Sequence, residues 1–159
     1  MPDPTPSQTI GPFFGFALPF HDGPNAAGPD ARAAIRIEGQ LLDGANEPVP
    51  DGLVEMWGGG QFARCRTDPE GVFHFTMRKP AAEPPHAPHV DLMVFARGLL
   101  RQVATRIYFP EEVDANAQDP ALAMVDPERR QTLIASRDGD VLHFDIRLQG
   151  EGETVFFQL

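Results

Sequence analysis

The feature that most constrains this chain is a two-residue rhythm repeatedly cut by turn residues. In "AIRIEGQLL" (34–42), Ile35, Ile37, Gly39 and Leu41 alternate with Arg36, Glu38 and Gln40, as in a strand with one buried face. "LVEMW" (53–57) is a second short strand. "DPEG" (68–71) is a turn tetrapeptide, and "VFHFTM" after it puts Phe73, Phe75 and Met77 on one face. "HVDLMVFARG" (89–98), "QVATRIYF" (102–109) and "TLIAS" (132–136) continue the series. After the turn "RDGD", "VLHFDIRL" aligns Leu142, Phe144, Ile146 and Leu148, and "TVFFQL" ends the sequence. Helical signal is confined to 111–118 and to "DPERRQ", where Asp126 can cap and Pro127 suits a first helical position. Seven or eight short strands separated by turn chemistry predict an all-β fold, an antiparallel β-sandwich with one or two short helices.

Residues 1–31 carry Pro and Gly without a period and read as an extended N-terminal arm; residues 32–159 read as the sandwich. Phe13, Phe14, Phe16, Leu18 and Phe20 are apolar within the arm. An apolar arm must cover something, either its own domain or a partner chain. Seventeen prolines and 15 glycines agree with many turns.

Charge and cysteine usage exclude several functions. A net charge of −10 with no basic cluster argues against nucleic-acid binding, which needs a cationic face to displace phosphate counterions. No apolar run approaches the ~20 residues of a membrane span, and the N-terminus reads as no signal peptide. The single cysteine, Cys65, permits no internal disulfide; it reads as a small packed residue, and a reducing cytoplasm suits it. Trp57, Phe73 and Phe75 read as core, His74 and His143 as solvated. "GGG" (58–60) opens no helix and is not a phosphate loop. "RDGD" has too few oxygens for a calcium loop.

The stretch "PPHAPHVDLM" (84–93) holds three potential metal ligands, His86, His89 and Asp91. On a strand, His89, Asp91, Met93, Phe95 and Arg97 share one face, and Val90, Leu92, Val94 and Ala96 the other. His86 lies in the preceding loop and could swing toward them. Two imidazoles and a carboxylate could hold zinc or ferrous iron, or form a plain hydrogen-bonded cluster.

Several motifs carry a resemblance. "TPSQTIGPF" (5–13), "LVEMW", "PHVDLMVFARG" (88–98), "RIYF" (106–109), "RRQTLIA" (129–135) and "HFDIRLQGEGETVFF" (143–157) resemble the alpha chains of the protocatechuate 3,4-dioxygenases, in the intradiol ring-cleaving family. The chain is shorter than the family pattern after Trp57 and before His86. The resemblance implies a β-sandwich and a non-haem Fe3+ held by a homologous beta-type partner chain through two tyrosines and two histidines. It further implies alpha–beta protomers in a higher oligomer, located in the cytoplasm.

The family's P-x-H-x-H stretch corresponds to Pro88, His89, Val90 and Asp91, so aspartate stands where the second histidine belongs. Phenolate is a hard donor suited to ferric iron, yet the chain has one tyrosine, Tyr108, read as standing away from either expected ligand position. His89 and Asp91 therefore read as the relic of a metal site, with no catalytic residue in this chain alone.

By the same resemblance, Thr9, Gly11, Pro12, Phe13 and Arg97 line the substrate cavity of the partner. Phe13 stands where the family usually has tyrosine, so a hydroxyl is lost. Asp91 and Arg97 are ~20 Å apart on an extended strand, so Arg97 cannot serve the relic site. It faces either a partner's cavity or a local carboxylate. Two other readings stand beside the non-metal subunit: a stand-alone β-sandwich binding or assembly module, and an independent metalloenzyme using His86, His89 and Asp91.

Overall fold

The computed structural model describes residues 11, 13–28, 31 and 33–158. Among these, nine strands follow in order: β1 Ala34–Leu42, β2 Leu53–Gly58, β3 Gln61–Arg66, β4 Val72–Arg78, β5 His89–Phe95, β6 Val103–Tyr108, β7 Ser136–Asp138, β8 Val141–His143 and β9 Ile146–Arg147. Helix α1 (Phe14–Ala17) precedes them, and α2 (Val113–Gln118) and α3 (Pro120–Met124) lie between β6 and β7. No described helix is long and apolar enough to cross a membrane.

The strands form two sheets around one core, as the alternation requires. One has the order β4-β1-β8-β7, with β9 also on β1; the other is β3-β2-β5-β6. Ile37, Leu41, Phe73, Phe75, Met77, Leu142 and Ile146 point inward from the first. They meet Val54, Met56, Val90, Leu92, Val94 and Ile107 from the second. The core is close-packed, so truncating one of its large side chains leaves a cavity and costs about 2–5 kcal/mol.

Turn chemistry sets the hairpins. Gly59 and Gly60 join β2 to β3 with φ of 55° and 72°, the two positive values that match the twist of a two-residue hairpin. At 68–71 the Asp68 carboxylate accepts from the amides of Glu70 and Val72, at 3.0 and 2.8 Å.

Several expectations need correction. β1 pairs in parallel with β8 and β9, so the first sheet is mixed. "VLHFDIRL" is not one strand. Its pairing offset is unchanged across the break, Glu38 opposite His143 and Leu41 opposite Ile146, but the Asp145 side chain takes the Gln40 amide at 3.0 Å. Gly39 is required there, because a Cβ would lie 1.8 Å from the Phe144 carbonyl oxygen. Thr132 and Leu133 of "TLIAS" close a 3-10 turn, Arg130–Leu133, and Ser136 opens β7, while a turn running into that 3-10 segment replaces the helix expected at "DPERRQ". "TVFFQL" contributes only an isolated bridge, Phe157 to Ala104. The α3 helix was not expected; five residues are too few to show a period.

The described part of the arm is not simply extended. It contains α1, whose Phe14 is buried against Phe95 at 6.3 Å between ring centroids. Arg64 clamps the following segment. Its guanidinium donates to the Leu18 carbonyl at 2.6 Å and to the buried Glu55 carboxylate at 2.6 and 2.8 Å. The same guanidinium also lies over the Phe20 and Phe62 rings. Phe13 and Phe16 remain 80% and 73% exposed.

Candidate functional site

Strand register alone assembles the site on the outer face of the second sheet. One row across its four strands reads Phe62, Trp57, Asp91 and Arg106. The adjacent row places His89 directly opposite Tyr108. The expected alternation along β5 holds: Val90, Leu92 and Val94 are buried, and Asp91 is exposed. Tyr108 has a neighbour that the sequence alone does not show. It matches neither expected tyrosine ligand position in the sequence, yet the fold makes it the cross-strand neighbour of His89, with ring centroids 5.7 Å apart. Trp57 is not core; it is 48% exposed and lies on Phe62 at 4.3 Å.

Two cavities, of about 250 and 480 Å³, meet at Trp57 and Asp91. The smaller is walled by the β2–β3 hairpin with Pro80 and Ala81. The larger is walled by Met93, Ala104, Ala121, Met124 and Phe157.

Each would-be ligand already has a protein partner. Asp119, fully buried, is the centre of the arrangement. Its Oδ1 accepts from the amides of Ala121 and Leu122, capping α3, and from the Tyr108 hydroxyl at 3.1 Å. Its Oδ2 accepts from the Ala87 amide at 2.9 Å and lies 3.3 Å from His86 Nδ1. His89 Nδ1 is 2.8 Å from the Ala87 carbonyl, so it must carry the proton, leaving only Nε2 free. Asp91 Oδ1 accepts from Arg106 Nε at 2.9 Å, and its Oδ2 is 3.8 Å from His89 Nε2.

Titration follows from these contacts. Burial pushes the Tyr108 phenol up, and Asp119 beside it adds to the rise against the pull of Arg106, giving about 12. Burial alone would raise the Asp119 carboxyl. The amides of Leu122 and Ala87, the Tyr108 hydroxyl and the Ala121 amide outweigh it and hold the carboxyl below its ordinary range. Burial opposes the charge on Arg106, but Tyr108 and Asp91 overcome it and raise its pKa.

These residues do not fit ferric iron. The only phenol is held protonated and donates its hydrogen bond to a carboxylate. The available carboxylate, Asp91, is committed to a guanidinium whose positive charge would oppose a cation. Among the described residues, no three His, Cys, Asp or Glu side chains converge as a metal-binding group.

Of the residues expected to line a partner's cavity, none that the structure describes belongs to this network. Thr9 and Pro12 fall outside the described residues. Gly11 and Phe13 are exposed. Arg97 follows the far end of β5, 63% exposed, with its Nε paired to Asp51. The local carboxylate and the outward-facing cation are therefore both present. Sequence reading missed Asp119 and Arg106. Asp119-Pro120 carries the same cap signal that was recognised at Asp126-Pro127. Arg106 shares the face of Tyr108 by alternation.

The protocatechuate 3,4-dioxygenase alpha chain of Burkholderia cepacia is 37% identical over 193 residues, covering 98% of this chain and 97% of that one. The chain belongs to the protocatechuate 3,4-dioxygenase alpha-chain family. The Pseudomonas putida alpha chain is 38% identical, covering 96% of this chain and 95% of its own length. The aligned stretch exceeds the 159 residues present here, so the shortening relative to the family is internal. The beta chain from Burkholderia cepacia is 28% identical, covering 78% of this chain and 61% of its own.

Two solved structures share the fold. The dioxygenase domain of a carbohydrate-binding fusion from a cellulolytic Streptomyces has a TM-score of 0.66 at 24% identity, covering 93% of this chain and 99% of that one. Hydroxyquinol 1,2-dioxygenase from Pseudomonas putida has a TM-score of 0.58 at 17% identity, covering 81% and 60%. No protein-family model matches the chain.

Proposed function

We propose that this chain is the non-metal alpha subunit of a protocatechuate 3,4-dioxygenase. In that assembly a homologous beta-type chain holds the Fe3+. The alpha chain supplies part of the cavity wall through Thr9, Gly11, Pro12 and Phe13, and a cation through Arg97. The overall reaction places both atoms of O2 on protocatechuate and breaks the ring bond between its two hydroxyl-bearing carbons, giving 3-carboxy-cis,cis-muconate.

The observation that carries this reading is the closed network of Tyr108, Asp119, His86, Asp91 and Arg106. Around His89 and Asp91, read as the relic of a metal site, the side chains are turned toward one another. The outward-facing features are elsewhere: Phe13, Phe16 and Arg97. A guanidinium suits the carboxylate of protocatechuate, because its planar fork can meet both oxygens. Local placement matters in a chain of net charge −10, whose long-range field repels the substrate anion. The exposed aromatic rings also weigh against a stand-alone module, for which they have no use.

The test is co-expression with a beta-type chain. The complex is expected to be red-brown, to contain ferric iron and to consume O2 with protocatechuate. The chain purified alone is expected to do none of these. Oxygen uptake by the lone chain with a dihydroxybenzoate would overturn the proposal.

A further inference from the structure

Arg97 and its partner Asp51 are each held by the backbone around them. Arg97 stands in a tight turn after β5, where the Leu99 amide donates to the Ala96 carbonyl at 3.3 Å and Gly98 has φ of 90°. Ala96 is buried beneath that turn. Asp51 sits in the β1–β2 connection, which the buried Thr67 locks. The Thr67 hydroxyl donates to the Val49 carbonyl at 2.7 Å and accepts from the Gly52 amide at 2.8 Å, and the Thr67 amide returns to the Gly52 carbonyl at 2.9 Å. Gly52 itself is tightly packed, since a Cβ there would meet Leu41 at 2.4 Å. Asp51 is thus a carboxylate on a rigid loop, directed at one end of a guanidinium that makes no second ion pair among the described residues.

The contact is to Nε of Arg97. A guanidinium has five N–H donors in a planar fork, and occupation of the Nε side leaves the terminal pair for a second carboxylate. We propose that Asp51 is a positioning residue that fixes the Arg97 fork with its terminal edge free to receive the carboxylate of the aromatic substrate. It thereby contributes to selection for carboxylated over uncharged catechols. This rests on the subunit role proposed above. Asp51 touches neither substrate nor metal and acts only through Arg97.

Two physical effects of Asp51 oppose each other, and their signs separate them. Its negative charge weakens attraction for an anion, so removing charge alone would tighten carboxylate binding. Its hold on the fork saves the ordering of a long side chain on binding, worth roughly 0.5–1.5 kcal/mol, or about 2–10-fold. If orientation dominates, Asp51→Ala raises KM for the carboxylated substrate despite the lost charge. Asp51→Asn, which keeps an acceptor, does not raise it.

The experiment uses the complex with the beta-type chain. KM and kcat for protocatechuate are measured together with inhibition constants for 4-hydroxybenzoate and phenol. For Asp51→Ala the expected result is a several-fold rise in KM and in the 4-hydroxybenzoate constant relative to phenol, with kcat within about twofold. In an Arg97→Ala background, Asp51→Ala is expected to add nothing.

Equal rises for 4-hydroxybenzoate and phenol would mean that the loop was disturbed, and would overturn the inference. Unchanged constants in Asp51→Ala, with Arg97→Ala impaired, would overturn the inference but leave the subunit role standing. Unchanged constants in Arg97→Ala would overturn both the inference and the role given to Arg97. Failure of the unaltered chain to form an iron-bearing complex would overturn the subunit proposal and this inference with it.

Discussion

The two ends of β5 make the most instructive comparison in the molecule. At its start, His89 and Asp91 are absorbed into a network that ends at the fully buried Asp119. Just beyond its end, Arg97 projects outward, and among the described residues its one ion pair is with Asp51 on the Nε side. The first end has donors and acceptors matched within the chain, so it has little left to offer a metal. The second has a surplus of donors. A relic can therefore be told from a working surface by whether its polar groups are satisfied at home. At the closed end that criterion is physical, because an unsatisfied buried polar group there would cost about 1–3 kcal/mol; the donors of Arg97, 63% exposed, can exchange water for a ligand at little cost.

The largest test breaks the closed end. Asp119→Ala removes the acceptor for the Tyr108 hydroxyl and the Ala87 amide and uncaps α3 in one change. The expected loss is about 3 kcal/mol or more in chemical denaturation, combining stranded buried donors with a lost cap. Asp119→Asn, which keeps one acceptor, is expected to lose roughly half as much. Unchanged stability in Asp119→Ala would mean that the network fills space without holding it.

At the open end the effects belong to function rather than stability. Arg97→Ala in the complex is expected to weaken protocatechuate use roughly tenfold, as loss of a charge-assisted contact does, with iron content intact. If iron falls with activity, Arg97 supports the assembly and not the substrate. Phe16→Ser tests the exposed arm. It removes a ring that is 73% exposed and lies over Arg66. Association with the beta-type chain is expected to weaken by about 1 kcal/mol, read from the concentration dependence of the complex, while the lone chain melts as before. A lower melting point of the lone chain would place that ring on its own domain instead.

The comparison also shows what the sequence could and could not reveal. Strands and hairpins were legible because their causes are local. Alternation marked β1, β4 and β5, and the Asp and Gly positions marked the turns at 68–71 and 137–140. The pairing of His89 with Asp91 on one face was legible for the same reason. Tyr108 opposite His89 and Arg106 opposite Asp91 were not, because they depend on the register of β6 against β5, which no local pattern states. Asp119 lies 33 residues from His86, at the cap of a helix too short to announce itself. The parallel pairing of β1 with β8 and β9 is equally non-local. Trp57 was misread because β2 is buried on both faces from Leu53 to Met56, and nothing nearby marks the point where the outer face opens.

The smallest test needs no partner chain. There is one tyrosine, so an alkaline absorbance titration reports Tyr108 alone. Its pKa is raised from 10.0 to about 12, so the folded state favours the neutral phenol. The sign follows: this contribution is complete below about pH 10 and fades as pH rises toward 12, where phenolate forms beside Asp119. A midpoint near 10 in the folded chain would mean that the hydroxyl is solvated and the closed end is open. Tyr108→Phe sharpens the point at acid pH. The Asp119 carboxyl is held below its ordinary range, so its stabilisation is present at neutral pH and is lost as pH falls through the depressed value. Removing the hydroxyl takes away one of the bonds that depress it. Tyr108→Phe should therefore cost about 1 kcal/mol at neutral pH and move acid unfolding to higher pH. An unmoved acid midpoint would show that the backbone amides of Ala87, Ala121 and Leu122 hold Asp119 unaided, and that Tyr108 is a passenger in the network.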